Sequence, residues 1–343
     1  MRTGLKQKLS GFTLLKLIAA FQVVYIHLIT HFHLPPVPMT QPPDMFRILS
    51  PFEGVPIFFS LSGFFLWRSL SARRVSFRAY AKRRILRIFP ELWMVAAFSV
   101  LSILLFCRQE LSALPFLGWI GAQATFLQFW TPECLRSFGV GCPNGSLWTI
   151  TIFLQFYILV YFLHRLLHGK KPLAWVLTLL LCAGLNVIPG YFASSLPKIL
   201  YKLYQQTVLP YLSVFLFTAC MAEFEDVIRP RLRHIALVVA LYTLLYIGIP
   251  FDFQGVGYPL FRCMVIGLFA LSFGFSIPFP LLRQDISYEI YLVHMPVVNI
   301  LLELTQTPDW GTFLAALALT LLLALILFRL NLRVLNRLET RTP

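Results

Sequence analysis

Apolar residues fill this chain in long runs, and the informative positions are the few polar ones inside them. Ten stretches are apolar over lengths close to a bilayer's thickness: roughly 12–30, 51–67, 88–106, 147–163, 173–189, 207–222, 235–250, 258–276, 286–304 and 311–328. A membrane-crossing helix needs about 20 predominantly apolar residues, so the pattern predicts an all-α integral membrane protein with about ten transmembrane helices. An eleventh stretch, 113–130, is rich in Trp and Phe. A full crossing there would carry His164, Arg165, Lys170 and Lys171 to the opposite side, so a re-entrant or interfacial segment is preferred and an eleventh span is the alternative. Inside the first run, Lys16 and His27 stand eleven residues apart. That is almost three helical turns, so both fall on one face, about 16 Å apart along the axis. Ionisable groups in membrane helices are costly and face a protein interior or a wet cavity.

Composition supports the membrane reading: 58% of residues are hydrophobic and 13% charged, against about 25% charged in soluble domains. The net charge of +15 could point to nucleic acid, but its distribution argues for topology instead. With the N-terminus inside, cytoplasmic segments hold 22 of the 29 Lys and Arg residues. These are Arg2, Lys6, Lys8, a dense 68–87 loop, Arg165, Lys170, Lys171, Arg229, Arg231, Arg233, Arg283, Arg329, Arg333, Arg337 and Arg341. Outer loops hold five: Arg47, Arg108, Arg136, Lys198 and Lys202. The positive-inside rule then places both termini in the cytoplasm. The first run is too long for a signal-peptide core and no cleavage site follows it. Without internal repeats or a low-complexity linker, residues 1–343 read as one transmembrane domain with no appended soluble domain. Cys182, Cys220 and Cys263 lie in spans as packing residues. Cys134 and Cys142 share an outer loop, where an oxidising compartment allows a disulfide. There is no CxxC metal pattern and no Gly-rich phosphate loop.

Five segments carry candidate chemistry, each with a structural alternative. Lys16 reads as a snorkelling lysine or a functional charge. His27 reads as an interhelical hydrogen-bonding group or a general base. Ser60, Ser62 and Gly63 form a small-residue face, for which close helix packing is the stronger reading. The basic segment from Arg68 ends in Arg84-Ile85-Leu86-Arg87-Ile88-Phe89-Pro90; Arg84 and Arg87 share one helical face. Arginine forks suit phosphate oxygens, and anionic lipid and topology are the plainer explanation. Trp148 and Gln155 share a face, with Trp148 suited to an aromatic belt. Ser287, Tyr291 and His294 follow i, i+4, i+7 spacing, either as polar glue between helices or as a site. Arg262 is a charge early in the eighth run, with Glu303 and Asp252 as partners and a structural pair preferred over a substrate role.

The order of these segments is more specific than any one. R/K-x10-H in the first helix, FFxxSGF in the second, RxxRxxP opening the third, LW…QFY, and a late ISYxxYLxHxP resemble the acyltransferase-3 family of integral membrane O-acyltransferases, which includes bacterial polysaccharide O-acetyltransferases. The resemblance runs from about residue 13 to 298. It implies transfer of an acyl group, often acetyl, from a cytoplasmic acyl-CoA to a carbohydrate hydroxyl at or beyond the bacterial inner membrane. His27 matches the essential helix-one histidine, Lys16 the basic position of that pair, and Arg84 and Arg87 the paired arginines. Ser62, Gly63, Trp148, Tyr157, Tyr288 and His294 match recurrent positions with less settled roles. Two departures stand out: Phe153 replaces the acidic residue that many relatives carry after the tryptophan, and Pro56 replaces an Asp before the double Phe.

The resulting expectation has acyl-CoA phosphates held by Arg84, Arg87 and Lys16, and His27 taking the proton of the acceptor hydroxyl as it attacks the thioester. A covalent relay through His27 or Ser62 is the variant mechanism. The donor is a substrate, and no permanently bound cofactor or metal is expected. Partners are acyl-CoA, a glycan or lipid-linked sugar, and membrane lipid. The competing classes are a transporter or flippase for a lipid-linked glycan, which would favour internal repeats, and a non-catalytic partner in envelope assembly.

Overall fold

The computed structural model describes residues 10–34, 51, 53–249, 252–277, 284–305 and 307–339. The basic residues Arg2, Lys6, Lys8, Arg47, Arg283 and Arg341 of the topology count lie outside the described residues. Among the described residues the chain is helical, with short 3-10 turns and no strand. The α-helices in order are α1 (Ser10–His31), α2 (Gly54–Ser71), α3 (Phe77–Phe106), α4 (Ala113–Gln123), α5 (Trp148–Leu167), α6 (Pro172–Tyr191), α7 (Lys198–Gln205), α8 (Leu212–Glu223), α9 (Glu225–Leu232), α10 (Ile235–Ile247), α11 (Leu260–Ser276), α12 (Ser287–Leu304) and α13 (Trp310–Glu339).

Each of the ten expected apolar runs coincides with one helix. Length and composition qualify fewer of them as membrane spans. Among the described residues five helices are long and apolar enough to cross (α1, α3, α5, α6 and α13), and a sixth crossing results if α9 and α10, bent by 80°, form one broken span. The remaining helices are short, such as α8 with 12 residues, or carry polar groups, such as Arg68 in α2 and Glu289, His294 and Asn299 in α12. The protein is therefore a multi-pass all-α membrane protein.

Two local expectations change. The basic stretch 68–87 is not a loop: α3 begins at Phe77 and runs 30 residues, about 45 Å at 1.5 Å per residue. Such a helix outruns the hydrocarbon core by several turns. Its first turns therefore carry Arg78, Lys82, Arg83 and Arg84 as a charged extension of the span. The 113–130 stretch forms only the 11-residue α4, about 16 Å long and too short to cross. Trp119 and Phe116 bury one face of α4 against Ile103, Leu135 and Phe138, while Leu114 and Leu117 stay exposed. That two-sided character fits the interfacial reading.

The helices gather into two compact units. The first comprises described residues within Met1–Gln22, Gln41–Phe77 and Ile152–Asp285; the second those within Val23–Thr40, Arg78–Thr151 and Ile286–Pro343. In the first unit α2 lies against α8. A Cβ added to Gly63 would collide with the Phe215 carbonyl, so only glycine lets the two backbones approach. The Thr218 hydroxyl donates to the Ser60 carbonyl at 2.6 Å, and Phe59, Phe153 and Phe215 interlock beside it. The small-residue face of α2 is thus a packing surface. Phe153, standing where relatives carry an acid, belongs to this aromatic cluster.

In the second unit α12 packs along α13. Residues 287 and 289–299 of α12 are all buried, so its polar side chains need internal partners. Pro296 has no N–H and frees the Leu292 carbonyl within the helix; Asn144 Nδ2 donates to that carbonyl at 2.9 Å. Asn299 receives the Val140 N–H at 2.8 Å and donates to the Cys142 and Pro143 carbonyls. Glu303 accepts from Gly139 N at 2.8 Å. These bonds pin the loop before α5 to α12. Cys134 and Cys142 are free thiols, with Cys142 Sγ 3.2 Å from the Thr131 hydroxyl. The disulfide that the sequence allowed is not formed, and side-chain amides and carboxylates hold the loop instead.

Candidate active site

The second unit holds the densest set of buried titratable groups. His27, one turn before the end of α1, meets His294 of α12: His27 Nδ1 lies 3.1 Å from His294 Nε2, with ring centroids 5.0 Å apart. His294 is fully buried. Its Nδ1 lies 2.7 Å from the Tyr291 carbonyl. A carbonyl only accepts, so His294 carries its proton on Nδ1 and offers the Nε2 lone pair. The proton between the two rings therefore sits on His27 Nδ1, where the Met295 sulfur, 2.9 Å away, packs as a second soft neighbour. With both rings neutral, this leaves the lone pair of His27 on Nε2. The tautomer is dictated by the network, as in any histidine whose one nitrogen is committed.

Behind His294 the support continues. Tyr291 OH donates to the Ser146 carbonyl at 2.8 Å and lies 2.8 Å from the Thr149 hydroxyl. Ser146 in turn donates to Asn144 Oδ1 at 2.7 Å. The Ser287–Tyr291–His294 stripe thus combines both readings of the sequence: Tyr291 ties helices together and His294 faces the other histidine. Tyr288 OH approaches the Ile88 carbonyl of α3 at 3.5 Å, next to Pro90. Trp148 is half-buried at the start of α5.

A second buried group was not singled out from the sequence. Glu91 of α3 and Glu289 of α12 are both nearly inaccessible and interact electrostatically. The Asn331 amide of α13 donates to Glu91 Oε1. Two buried carboxylates side by side repel each other, which favours a proton held by the pair. Arg87 sits one turn before Glu91 on α3 and its charge acts on that carboxyl. Arg84 lies over the Tyr80 ring, 5.5 Å from its centroid. The signal was present in the sequence: an acid directly after Pro90 in one apolar run, and another inside the late Ser-Tyr-Glu segment.

The remaining predicted residues belong to the first unit. Lys16 Nζ makes a 3.0 Å ion pair with Asp285 Oδ2 and lies 5.7 Å from the Phe65 ring centroid. Arg262 pairs with Glu53 at 3.3 Å, not with Glu303 or Asp252. Asp252 spends both oxygens on the N–H groups of Phe261 and Arg262, and Glu303 is held by Gly139. A structural pair was the preferred reading, and its partner is corrected here to Glu53, the residue preceding α2. Ser62 and Tyr157 are half-buried, with Tyr157 next to Phe153 at 6.5 Å. Gln155, on the face shared with Trp148, bridges the Gln206 carbonyl and the Val208 N–H and is a structural clamp.

Residues 9–329 match the model of the acyltransferase domain family, the family that the motif order resembles. The chain belongs to the acyltransferase-3 family. Nodulation protein 10 of Rhizobium leguminosarum bv. viciae is 28% identical over 324 residues, covering 88% of this chain and 86% of that protein. No solved structure matches the chain. This acyltransferase-3 protein is thus a multi-pass membrane acyltransferase, and the two-histidine contact lies within the span that defines its family.

Proposed function

We propose that this acyltransferase-3 protein moves an acyl group, acetyl in the simplest case, from acyl-CoA to a hydroxyl of a surface or lipid-linked carbohydrate. It would do so in the bacterial inner membrane, with about ten transmembrane helices and both termini cytoplasmic. The observation that carries the chemistry is the His27–His294 contact, because it fixes the tautomer that leaves His27 Nε2 basic. The acceptor hydroxyl gives its proton to His27 Nε2 while its oxygen bonds to the thioester carbon. The tetrahedral intermediate collapses by breaking the carbon–sulfur bond, and the departing thiolate takes the proton back from His27. During the step the His27 imidazolium keeps donating from Nδ1 to the neutral His294. That acceptor does the orienting work a carboxylate performs in the serine-protease triad.

Arg84 and Arg87, on one face of the charged extension of α3, are the groups proposed to grip the donor phosphates, since guanidinium forks match phosphate oxygens in pairs. The glycan and the membrane lipid are the other partners of this reading. Lys16 is left to Asp285, which already supplies its counter-charge. Ser62, Gly63, Tyr157 and Arg262 enter as framework, while Tyr288 holds α12 to α3 near the arginines. The test is transfer of labelled acetyl from acetyl-CoA to glycan in membranes carrying wild type or His27→Ala. Loss of transfer in the variant is expected; undiminished transfer would sink the mechanism.

A further inference from the structure

Away from the histidine pair, the first unit contains a cavity of about 380 Å³ beside the connection from α2 to α3 and the end of α5. Arg73, Arg74, Arg165, His164, Tyr161 and Ser71 are among its lining residues, and no carboxylate lines it. Arg73 and Arg74 stand in the non-helical connection with exposed side chains. Among the described residues none of the three guanidinium groups has an acidic partner within 4.0 Å, whereas Arg68, Arg229 and Arg262 all do. The walls are fixed. Arg165 donates to Tyr161 OH at 2.8 Å, and Tyr161 OH donates on to the Val75 carbonyl at 3.1 Å. Ser71 Oγ and His164 Nε2 lie 3.0 Å apart. His168 is held from behind by Glu223 at 2.9 Å, a carboxylate also engaged by Trp67 and Gly169.

Topology determination needs positive charge on one side of the membrane, but it does not need three uncompensated arginines around a cavity. Three convergent guanidinium groups, a hydroxyl and imidazoles match a doubly charged, oxygen-rich anion in charge and in donor number. The volume falls within the range of small-molecule sites, about 300–1,000 Å³, which leaves room for an organic body attached to the anion. We propose that this cavity binds a phosphomonoester dianion, carried on a soluble phosphorylated metabolite or on a phosphatidate-type lipid headgroup. Neither Arg84 nor Arg87 is among its lining residues, and the proposal stands whether or not acyl-CoA is the donor.

The experiment uses the full chain in nanodiscs of neutral phosphatidylcholine, with adenosine monophosphate as soluble probe. A parallel set contains phosphatidic acid, with lipid retention read by native mass spectrometry. Binding of the nucleotide, retention of phosphatidic acid over phosphatidylcholine, or both, is expected. The first outcome identifies a soluble source and the second a lipid source. Arg73→Ala/Arg74→Ala should weaken the observed binding by about tenfold, the scale of one charge-assisted hydrogen bond. Both residues are exposed in a connection, so the melting midpoint should stay unchanged. Arg165→Lys, which keeps the charge but loses the fork, gives a second reading if the double variant unfolds, and should weaken binding by about threefold. Arg83→Ala, on α3 outside the cavity, should bind as wild type. The proposal is overturned if neither ligand binds, if the arginine variants bind as wild type, or if Arg83→Ala weakens binding as much as they do.

Discussion

The two ionisable residues of α1 began as equivalent oddities on one helical face, and the structure separates them by the partner each has. Lys16 meets a carboxylate, Asp285, in a pair whose side chains remain about a quarter exposed. His27 meets a neutral imidazole that is fully buried. A counter-charge at 3 Å fixes a charge in place and discourages its proton from moving. A neutral acceptor does the reverse: it sets which nitrogen carries the proton and leaves the other free to take one. The same division holds more widely. Several other charges of the first unit also sit in opposite-sign pairs, Arg68–Glu225, Arg229–Glu225 and Arg262–Glu53. The second unit brings together groups of one kind, His27 with His294 and Glu91 with Glu289.

The largest effect that could break this comparison is at His27. Removing a general base costs about 10²- to 10⁴-fold, so His27→Ala should lower acyl transfer by that factor with the protein still assembled in the membrane. In the proposed mechanism His294 acts through His27 as a positioning residue. His294→Phe should lower kcat by about tenfold to a hundredfold, less than loss of the base itself, with KM for donor and acceptor unchanged. His294→Gln should recover much of the loss, because its Oε1 can accept from His27 Nδ1. Equal loss in Phe and Gln variants would mean that His294 only fills space.

Of this site, His27 and His294 were both legible as intramembrane histidines with the right spacing, and so were the helices that carry them. Their contact was not, because α1 and α12 are 267 residues apart in sequence and periodicity carries no long-range pairing. Glu91 and Glu289 escaped for a different reason. Each sits in a segment read for its arginines or its Tyr-x-x-His spacing, so the acids passed as background although membrane acids are hypotheses by default. The partner of Arg262 was misassigned because the expected topology put Asp252 and Glu303 on its side of the membrane. Backbone capping by Asp252 and loop bonding by Glu303 had already used them. Each apolar run located a helix, but α7 and α9 lie outside the runs, and among the described residues length and composition qualify only five or six helices as spans, since an apolar run does not reveal where its helix stops.

The carboxyl pair offers the next sharpening. If Glu91 and Glu289 share one proton, an amide can replace one of them. In Glu91→Gln the new N–H₂ donates to Glu289 and the new carbonyl accepts from Asn331, so thermal stability in detergent should stay near wild type. Glu91→Ala strips Glu289 and Asn331 of a partner in a buried place. A buried polar group left unsatisfied costs about 1–3 kcal/mol, so its melting midpoint should fall clearly below that of the glutamine variant. Equal melting of the two would show that the shared proton contributes nothing.

The smallest effect is expected at Lys16, and it bears most directly on the comparison. A partly exposed ion pair contributes about 0–1 kcal/mol. Lys16→Met and Asp285→Asn should each shift stability by no more than that, and the double variant should cost no more than the worse single, because the interaction is already gone after the first change. The KM for acyl-CoA should move less than threefold in all three. A larger rise in KM confined to Lys16→Met, with Asp285→Asn lowering KM instead, would mean that Asp285 competes with donor phosphate for the lysine. The two ends of α1 would then belong to one reaction path, and the division drawn between a paired charge and a proton-moving one would fail.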